Sequence, residues 1–254
     1  MKILTSKATN MFRSKLVLIL VLILISISCQ KDSEMSETGT GGSMARFAIK
    51  GDYLYTVDYE KLHTFQIESN IPVSHLQEQY LGFGIETIFP SGDNLFIGAQ
   101  NGMHIYGISN PANPVKKSFT PHFVSYDPVV VEGDFAYVTL RSEQTGSGRN
   151  ALLIFDVSKT SAPQLVKEYE MEGPRGLGID HNILFICDDV LKVYSVTNGT
   201  ELELIDTFDI PAIDVIPEGN TLFIVAEDGL YQYRYQDSEI SFISKITMPY
   251  EEKP

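Results

Sequence analysis

Five charged residues recur at nearly equivalent positions along the chain, each shortly before a turn motif. Glu86, Asp127 and Arg175 stand six residues before the turn, and Arg46 and Asp214 stand five residues before it. Acidic and basic side chains that converge in a concave site could bind a polar ligand, and two paired carboxylates could act as general acid and base. Whether these side chains meet depends on the elements that carry them.

The motifs of the common catalytic chemistries do not occur in the sequence. It contains no G-x-S-x-G, no H-E-x-x-H, no C-x-x-C and no glycine-rich phosphate loop after a strand. His63 and His104 occupy equivalent positions in two repeats in which later repeats have Leu153, Lys192 and Tyr231, and this variation indicates a packing position. The sequence therefore assigns no catalytic residue and no cofactor.

Two acidic pairs, Asp188-Asp189 and Glu227-Asp228, stand in short connections between predicted strands. Their hard oxygen atoms could bind Ca²⁺, but turn chemistry accounts for them equally well and no EF-hand spacing is present. The buried setting of Cys187, in ILFICDD, indicates a small packing residue rather than a catalytic thiol. We therefore assign no metal site.

The strand pattern repeats five times from residue 45 onward. A short strand ends in a tight turn, a second strand follows at once, and the turns are FAIKGDY, IFPSGDN, VVVEGDF, GIDHNIL and VIPEGNT. The Gly-Asp, His-Asn and Gly-Asn steps are typical of two-residue hairpins. A third strand follows at intervals of 41, 49, 39 and 39 residues, measured from Leu62 through Met103, Leu152, Leu191 and Leu230.

A polar corner and a fourth strand complete each repeat, as in the two Asn-Pro pairs of SNPANP and the strand QLVKEYE at 164–170. Proline stops a strand and forces an extended connection. Four antiparallel strands in a unit of about 40 residues, repeated five times, predict an all-β fold, a β-propeller of five four-stranded blades over residues 45–254. With no strand left over at either end, we expect blade five to pack against blade one.

Two stretches resemble the LVIVD-repeat family of secreted or lipid-anchored bacterial propellers. They are GDFAYVTL with LLIFDVSKTSAPQLV, and GMHIYGISNPANPV. The resemblance extends over residues 45 to about 248 and implies a propeller located outside the cytoplasm. In such a blade the five charges would surround the channel mouth on the face with irregular loops, and Tyr126 would join them. We therefore expect a ligand-binding site formed by Arg46, Glu86, Tyr126, Asp127, Arg175 and Asp214.

The first 28 residues have the pattern of a secretory signal. Four basic residues precede the apolar run LVLILVLILI, which is too short for a spanning helix. Residues 25–29, ISISC, resemble a bacterial lipobox that ends in Cys29, and the following QKDSE is similar to a surface-export signal of lipoproteins. We expect residues 1–28 to be a signal peptide, Cys29 to be lipidated and residues 29–44 to be a flexible tether, in an outer-membrane lipoprotein of a diderm bacterium that faces the periplasm or the cell surface.

The charge of the mature chain limits its partners. Without residues 1–28 it carries 15 basic and 33 acidic residues, a formal charge of −18, which disfavours nucleic acid and anionic membrane. We expect a monomer that contacts the membrane only through its lipid and binds a protein, peptide or glycan. The predicted function is an extracytoplasmic binding or scaffold module; the alternative is a hydrolase or lyase of extracellular glycans or lactones that uses acidic residues at the channel mouth.

Overall fold

The computed structural model describes residues 38–39, 41–122, 128–142, 149–236 and 239–248. The chain divides into a unit of residues 1–37, which lies outside the described residues, and a unit of residues 38–254. The predicted signal peptide and Cys29 therefore also lie outside the described residues. Within the described ranges the second unit contains strands and turns and no helix.

The second unit contains 21 described strands. In chain order they are β1 (Thr38–Gly39), β2 (Phe47–Lys50), β3 (Tyr53–Val57), β4 (Lys61–Gln66), β5 (Ser74–Tyr80), β6 (Ile85–Ser91), β7 (Asn94–Ala99), β8 (Gly102–Gly107), β9 (Val115–Pro121), β10 (Val129–Glu132), β11 (Phe135–Leu140), β12 (Ala151–Asp156), β13 (Gln164–Glu170), β14 (Leu177–Asp180), β15 (Ile183–Cys187), β16 (Leu191–Thr197), β17 (Glu201–Phe208), β18 (Ala212–Glu218), β19 (Thr221–Ala226), β20 (Gly229–Gln236) and β21 (Glu239–Thr247).

These strands form five antiparallel sheets that follow the chain order. Blade 1 is β2–β5, blade 2 is β6–β9, blade 3 is β10–β13, blade 4 is β14–β17 and blade 5 is β18–β21. The short β1 adds a fifth strand to blade 1, where Thr38 pairs with Lys50 and Gly39 pairs with Ile49. The prediction of five four-stranded blades is confirmed.

The first two strands of every blade are joined by a two-residue hairpin loop. In blades 1, 2, 3 and 5 the first loop residue is a glycine with φ between 52° and 57°. Glycine adopts this left-handed conformation without strain. Blade 4 uses His181 and Asn182, with φ of 50° and 60°, and two positive φ values in sequence are typical of a type I′ turn.

Cores form between successive blades. The inner strands lie side by side in four pairs, β2 with β6, β6 with β10, β10 with β14 and β14 with β18. The second strands of blades 2, 3 and 4 (β7, β11 and β15) are buried on both faces. The second strands of blades 1 and 5 (β3 and β19) alternate between buried and partly exposed residues, so each of these two blades buries one face only.

The seam between blade 5 and blade 1 differs from the expected closure. Among the described residues, four apolar cores join blade 1 to 2, 2 to 3, 3 to 4 and 4 to 5, and none joins blade 5 to blade 1. The chain segment just before β2, residues 41–45, lies between the inner strands instead. The expected packing of blade 5 on blade 1 is therefore not seen among the described residues, and the end of the predicted tether contacts the inner strand of blade 5 instead.

Candidate functional site

The centre of the propeller is occupied by the segment of residues 41–45, which we call the axial segment. Its Ser43 is buried, with 1% of its surface exposed. The Ser43 hydroxyl donates a hydrogen bond to Oδ1 of Asp214 at 2.9 Å and accepts one from the backbone N–H of Leu177 at 2.8 Å. One side chain thus joins the axial segment to the inner strands of blades 4 and 5.

Two further contacts hold the axial segment in place. The backbone N–H of Met44 donates to Oδ2 of Asp214 at 3.3 Å, and the N–H of Ile88, on blade 2, donates to the carbonyl of Ala45 at 2.9 Å. The segment therefore contacts the inner strands of blades 2, 4 and 5. Gly42 and Ser43, which we expected to belong to a flexible tether of residues 29–44, are buried in the propeller core, whereas Met44 is exposed.

Glycine is required where the axial segment meets blade 5. A Cβ atom on Gly42 would lie 2.8 Å from Cγ of Asp214 and 3.1 Å from Cγ1 of Ile216. Such distances are too short for carbon atoms, so only glycine lets the segment approach β18 this closely. The Gly-Gly-Ser sequence, which suggests a linker by composition, is here a packing sequence.

The cavity that remains beside the axial segment is small. It measures about 50 Å³ and is lined by Gly42, Ser43, Leu177, Val215 and Ile216, among others. This is room for one or a few water molecules, whereas sites for small organic ligands measure about 300–1,000 Å³. Among the described residues, the cavity beside the axial segment is therefore too small for a sugar or a lactone.

Asp214 is a buried acid of the expected site with a perturbed pKa. Burial raises its pKa from 3.8 to about 6, while hydrogen bonds from Ser43 and from the backbone oppose the shift. Asp214 is 8% exposed, and its carboxyl group lies under the axial segment. In this conformation Asp214 is thus a structural group of the core. Its pKa would suit proton transfer, but a substrate could reach the carboxyl group only if the axial segment moved away.

Arg175 lies at the start of blade 4 and forms an ion pair across to blade 5. Its Nη1 donates to Oε1 of Glu227 at 2.9 Å, and both side chains are partly exposed, at 30% and 54%. The hydroxyl of Thr139 on blade 3 donates to the Arg175 carbonyl at 2.6 Å. The guanidinium group therefore lies at the surface where three blades meet.

The remaining expected site residues are found in different settings. Glu86 is half-buried and accepts a hydrogen bond from Nε2 of Gln100 at 2.9 Å. Arg46 is exposed next to the axial segment. Tyr126 and Asp127 lie outside the described residues. The backbone bond from Gly176 to the carbonyl of Ile213, at 2.9 Å, aligns the start of blade 4 with blade 5 and so brings Arg175 and Asp214 to neighbouring strands.

The two acidic pairs considered for Ca²⁺ have protein cations as partners. Lys192 Nζ lies 2.8 Å from both Asp188 and Asp189. Asp188 also accepts backbone hydrogen bonds from Glu172 and Gly173. In the other pair, Asp228 binds Lys245 and the hydroxyl of Tyr231. These contacts favour the turn interpretation of both pairs.

A second cavity lies on the opposite face, between the hairpins of blades 2 and 3. It measures about 200 Å³ and its polar lining includes Ser91, Asn94, Asp134, Ser158 and Thr160. The sequence pattern predicts only turns and corners on this face. The cavity depends on the distance between neighbouring hairpins. The residue pattern of a single repeat does not predict this distance.

The buried histidine and cysteine have packing roles. Burial lowers the pKa of His104 to about 4, so its ring is neutral, and its centroid lies 4.5 Å from that of Phe119. Burial also raises the pKa of the Cys187 thiol well above its usual value. A thiol of this kind is a poor nucleophile. Among the described residues, none forms a helix with the length and hydrophobicity that crossing a membrane requires.

Comparison with known proteins identifies the repeat and the fold. The LVIVD repeat model matches residues 87–119 and 126–171. A search of curated protein sequences returns no significant match. Among solved structures, a periplasmic gluconolactonase of Pseudomonas aeruginosa is similar at a TM-score of 0.60 and 14% identity, over 78% of this chain and 68% of that one.

Two further structures are similar to the same extent. A functionally unknown protein from Desulfotomaculum acetoxidans matches with a TM-score of 0.65 and 11% identity, over 82% of this chain and 71% of that one. A putative 6-phosphogluconolactonase from Bacteroides fragilis matches with a TM-score of 0.62 and 12% identity, over 79% and 69%. At these identities the likeness extends to the fold alone. The five sheets and the matched repeats together identify a β-propeller that contains LVIVD repeats at residues 87–119 and 126–171.

Proposed function

We propose that this propeller is a binding module that recognises a protein, peptide or glycan on its surface. The observation that carries the proposal is the axial segment, which leaves a central cavity of about 50 Å³. Among the described residues, the chain itself thus fills the part of the axis beside Ser43. Binding then falls to exposed loops on a rigid scaffold, where recognition residues are commonly found.

The loop face around Arg175 is the proposed contact surface. Arg175 and Glu227 form a partly exposed ion pair there. Arg46, which directly follows the axial segment in the sequence, is also exposed. Such a pair contributes only about 0–1 kcal/mol to stability, so it can exchange partners at low cost. Tyr126 and Asp127 belong to the same proposed surface.

A screen against envelope proteins and glycan arrays tests this proposal. We expect Arg175→Ala to weaken the binding of a hit at least tenfold while the melting temperature stays within a few degrees. Asn113→Ala, in the corner on the opposite face, is the matched control and should leave binding unchanged. If Asn113→Ala abolishes binding and Arg175→Ala does not, the proposed face is wrong.

The proposed location is the outer membrane of a diderm bacterium, facing either the periplasm or the cell surface, with attachment through a lipid on Cys29. It is supported by the basic and apolar pattern of residues 1–28. We expect Cys29→Ala to abolish palmitate labelling and partitioning into detergent. Unchanged partitioning of this variant would show that the apolar segment, not a lipid, holds the protein in the membrane.

An enzymatic function is the second candidate, favoured by one observation. Two similar folds carry the name of a lactonase, and Asp214 has a pKa raised to about 6, near that of a general acid or base. Catalysis at Asp214 would require the axial segment to leave the channel. Gluconolactone hydrolysis that is present in the natural protein and lost in Asp214→Asn would favour this candidate over the binding module.

A further inference from the structure

Three potential metal ligands meet on the outer strands of blade 1. His63 lies on β4, and His75 and Glu78 lie on β5, with one ligand atom of each within 4.8 Å of the other two. None of them belongs to the loop face proposed above for partner binding. Two imidazoles and one carboxylate are a ligand set that Zn²⁺ prefers.

Strand register brings these residues together. His63 pairs directly with Glu78 in the antiparallel ladder of β4 and β5. A register shift between Thr64 and Phe65 then pairs Phe65 with His75. Because of this bulge, His75 and Glu78, three residues apart on β5, project from the same face as His63, with the two imidazole centroids 5.9 Å apart.

Among the described residues, no apolar core covers the face of blade 1 that carries the three ligands. His104, the equivalent of His63 in blade 2, is buried because blade 1 packs over it. No described core joins blade 5 to blade 1, and 21% of the surface of the His63 side chain is exposed. A metal ion in solution can therefore reach it.

Asp58 orients the His63 ring. Its Oδ1 accepts the backbone N–H groups of Glu60 and Lys61 at 2.8 and 2.7 Å, which holds the carboxylate in the β3–β4 turn. Its Oδ2 lies 2.8 Å from Nε2 of His63. A carboxylate is ionised at neutral pH, so Nε2 carries the proton and the lone pair of Nδ1 is left for a metal.

Lys61 orients Glu78 in the same way. Its Nζ donates to Oε1 of Glu78 at 2.7 Å. The other oxygen, Oε2, lies 3.9 Å from Nδ1 of His63, which is too long for a hydrogen bond. Both ligand atoms thus face the same space, and each side chain is held by a partner on its far side.

We propose that His63 Nδ1, Glu78 Oε2 and an imidazole nitrogen of His75 bind a zinc ion. Two ligands at zinc bond lengths of about 2.0–2.1 Å lie about 3.3 Å apart in a tetrahedral site. The ligand atoms need to come about 1 Å closer to one another, and the exposed side chains of His75 and Glu78 allow this movement. Three protein ligands leave the fourth position for water or for a group of a partner.

The test uses the full chain, purified in detergent without a histidine tag and freed of metal by chelation. Calorimetric titration with Zn²⁺ should give one ion per chain. Each of His63→Ala and Glu78→Gln should weaken binding at least tenfold, and Asp58→Asn should weaken it about 10–100-fold, as is typical when a carboxylate that holds a metal-binding histidine is lost. Glu78→Gln keeps the shape of an exposed side chain, so its metal-free melting temperature should match that of the natural protein.

His181→Ala is the matched control. Like His63, His181 lies beside a carboxylate, with Nδ1 2.8 Å from Oδ2 of Asp180, but it is highly exposed and stands in a different blade. This variant and Arg175→Ala should bind zinc as the natural protein does. The site is disproved if the natural protein binds no zinc, if Glu78→Gln binds it unchanged, or if His181→Ala weakens it as much as His63→Ala.

Discussion

Ser43 is a small polar residue with a large share of the contacts at the propeller axis. Its hydroxyl both donates to Asp214 and accepts from Leu177, so it satisfies a buried carboxylate and a buried backbone N–H at once. A buried polar group without a partner costs about 1–3 kcal/mol. The Ser43 hydroxyl is therefore one of the contacts that hold the axial segment, together with the backbone bonds of Met44 and Ala45.

Replacing Ser43 by Ala should lower the free energy of unfolding by about 1–3 kcal/mol, because the Leu177 N–H and one Asp214 oxygen lose their partner. Urea denaturation at neutral pH measures the change. Ser244→Ala is the control, since Ser244 is exposed and bonds only Gln232 among the contacts seen, and its effect should stay within about 0.5 kcal/mol. Equal effects of the two variants would mean that the axial segment contributes nothing to stability.

At the scale of single residues, the sequence predicted where the candidate site residues lie on the strands better than it predicted which groups surround them. The repeat alignment correctly set Arg175 and Asp214 at the starts of inner strands, because equivalent residues follow equivalent paths. It could not show that Asp214 is buried under Ser43, since the segment that covers it has the composition of a linker. His63 was interpreted as a packing residue because the residue type varies at its position among the five repeats, and the repeat pattern could not show that His104 is buried while His63 is partly exposed.

At the scale of elements, turn chemistry made the hairpins predictable. A glycine in the first loop position, with φ near 55°, or the His181-Asn182 pair, marks each first-to-second turn. These residues tolerate positive φ, so the turn position and the strands on either side follow directly. The observed β13 (Gln164–Glu170) has the bounds that the alternating pattern predicted.

A bulge in the fourth strand of every blade was not predictable in the same way. The register with the fourth strand shifts at Thr64/Phe65, Ile105/Tyr106, Ile154/Phe155, Val193/Tyr194 and Gln232/Tyr233. A bulge changes which residues share a face, and no glycine or other special residue marks it at these positions. The grouping of His63 with His75 depends on the first of these shifts, so sequence spacing alone did not group these two histidines.

The stiff corners between third and fourth strands hold neighbouring blades together. Tyr55 of blade 1 donates its hydroxyl to the carbonyl of Pro111 at 2.8 Å, and Gln79 donates to that of Pro114 at 2.8 Å. Tyr137 of blade 3 bonds the Gly199 carbonyl of blade 4 at 3.0 Å in the same manner. Proline in these corners thus fixes carbonyl groups for the preceding blade, in addition to ending a strand.

At the scale of the whole molecule, blades pack in one direction around the axis. The second strands carry an aromatic residue at one equivalent position, and in blades 1 to 4 it is buried against the next blade: Tyr55, Phe96, Tyr137 and Phe185. Phe223, the equivalent in blade 5, is only partly buried. The seam follows from this pattern, since the last aromatic residue has no described core beyond it.

Protection of backbone amides from hydrogen exchange should follow the number of buried faces. We expect amides of β7, β11 and β15 to exchange at least tenfold more slowly than those of β3 and β19. All five strands have hydrogen-bonded neighbours on both sides, so the difference arises from burial of two faces against one. Native-state exchange read by mass spectrometry on peptides of each strand measures it.

The comparison of β11 with β7 serves as the internal control, since both strands are buried on two faces and should exchange alike. Repeat proteins gain stability from neighbouring units, so end blades that lack one neighbour should open at a lower free energy than central ones. A tenfold difference corresponds to about 1.4 kcal/mol of opening free energy. If β3 and β19 were as protected as β11, the seam would be closed in solution by contacts equal to those between the other blades, and blade 5 would unfold only together with the whole ring.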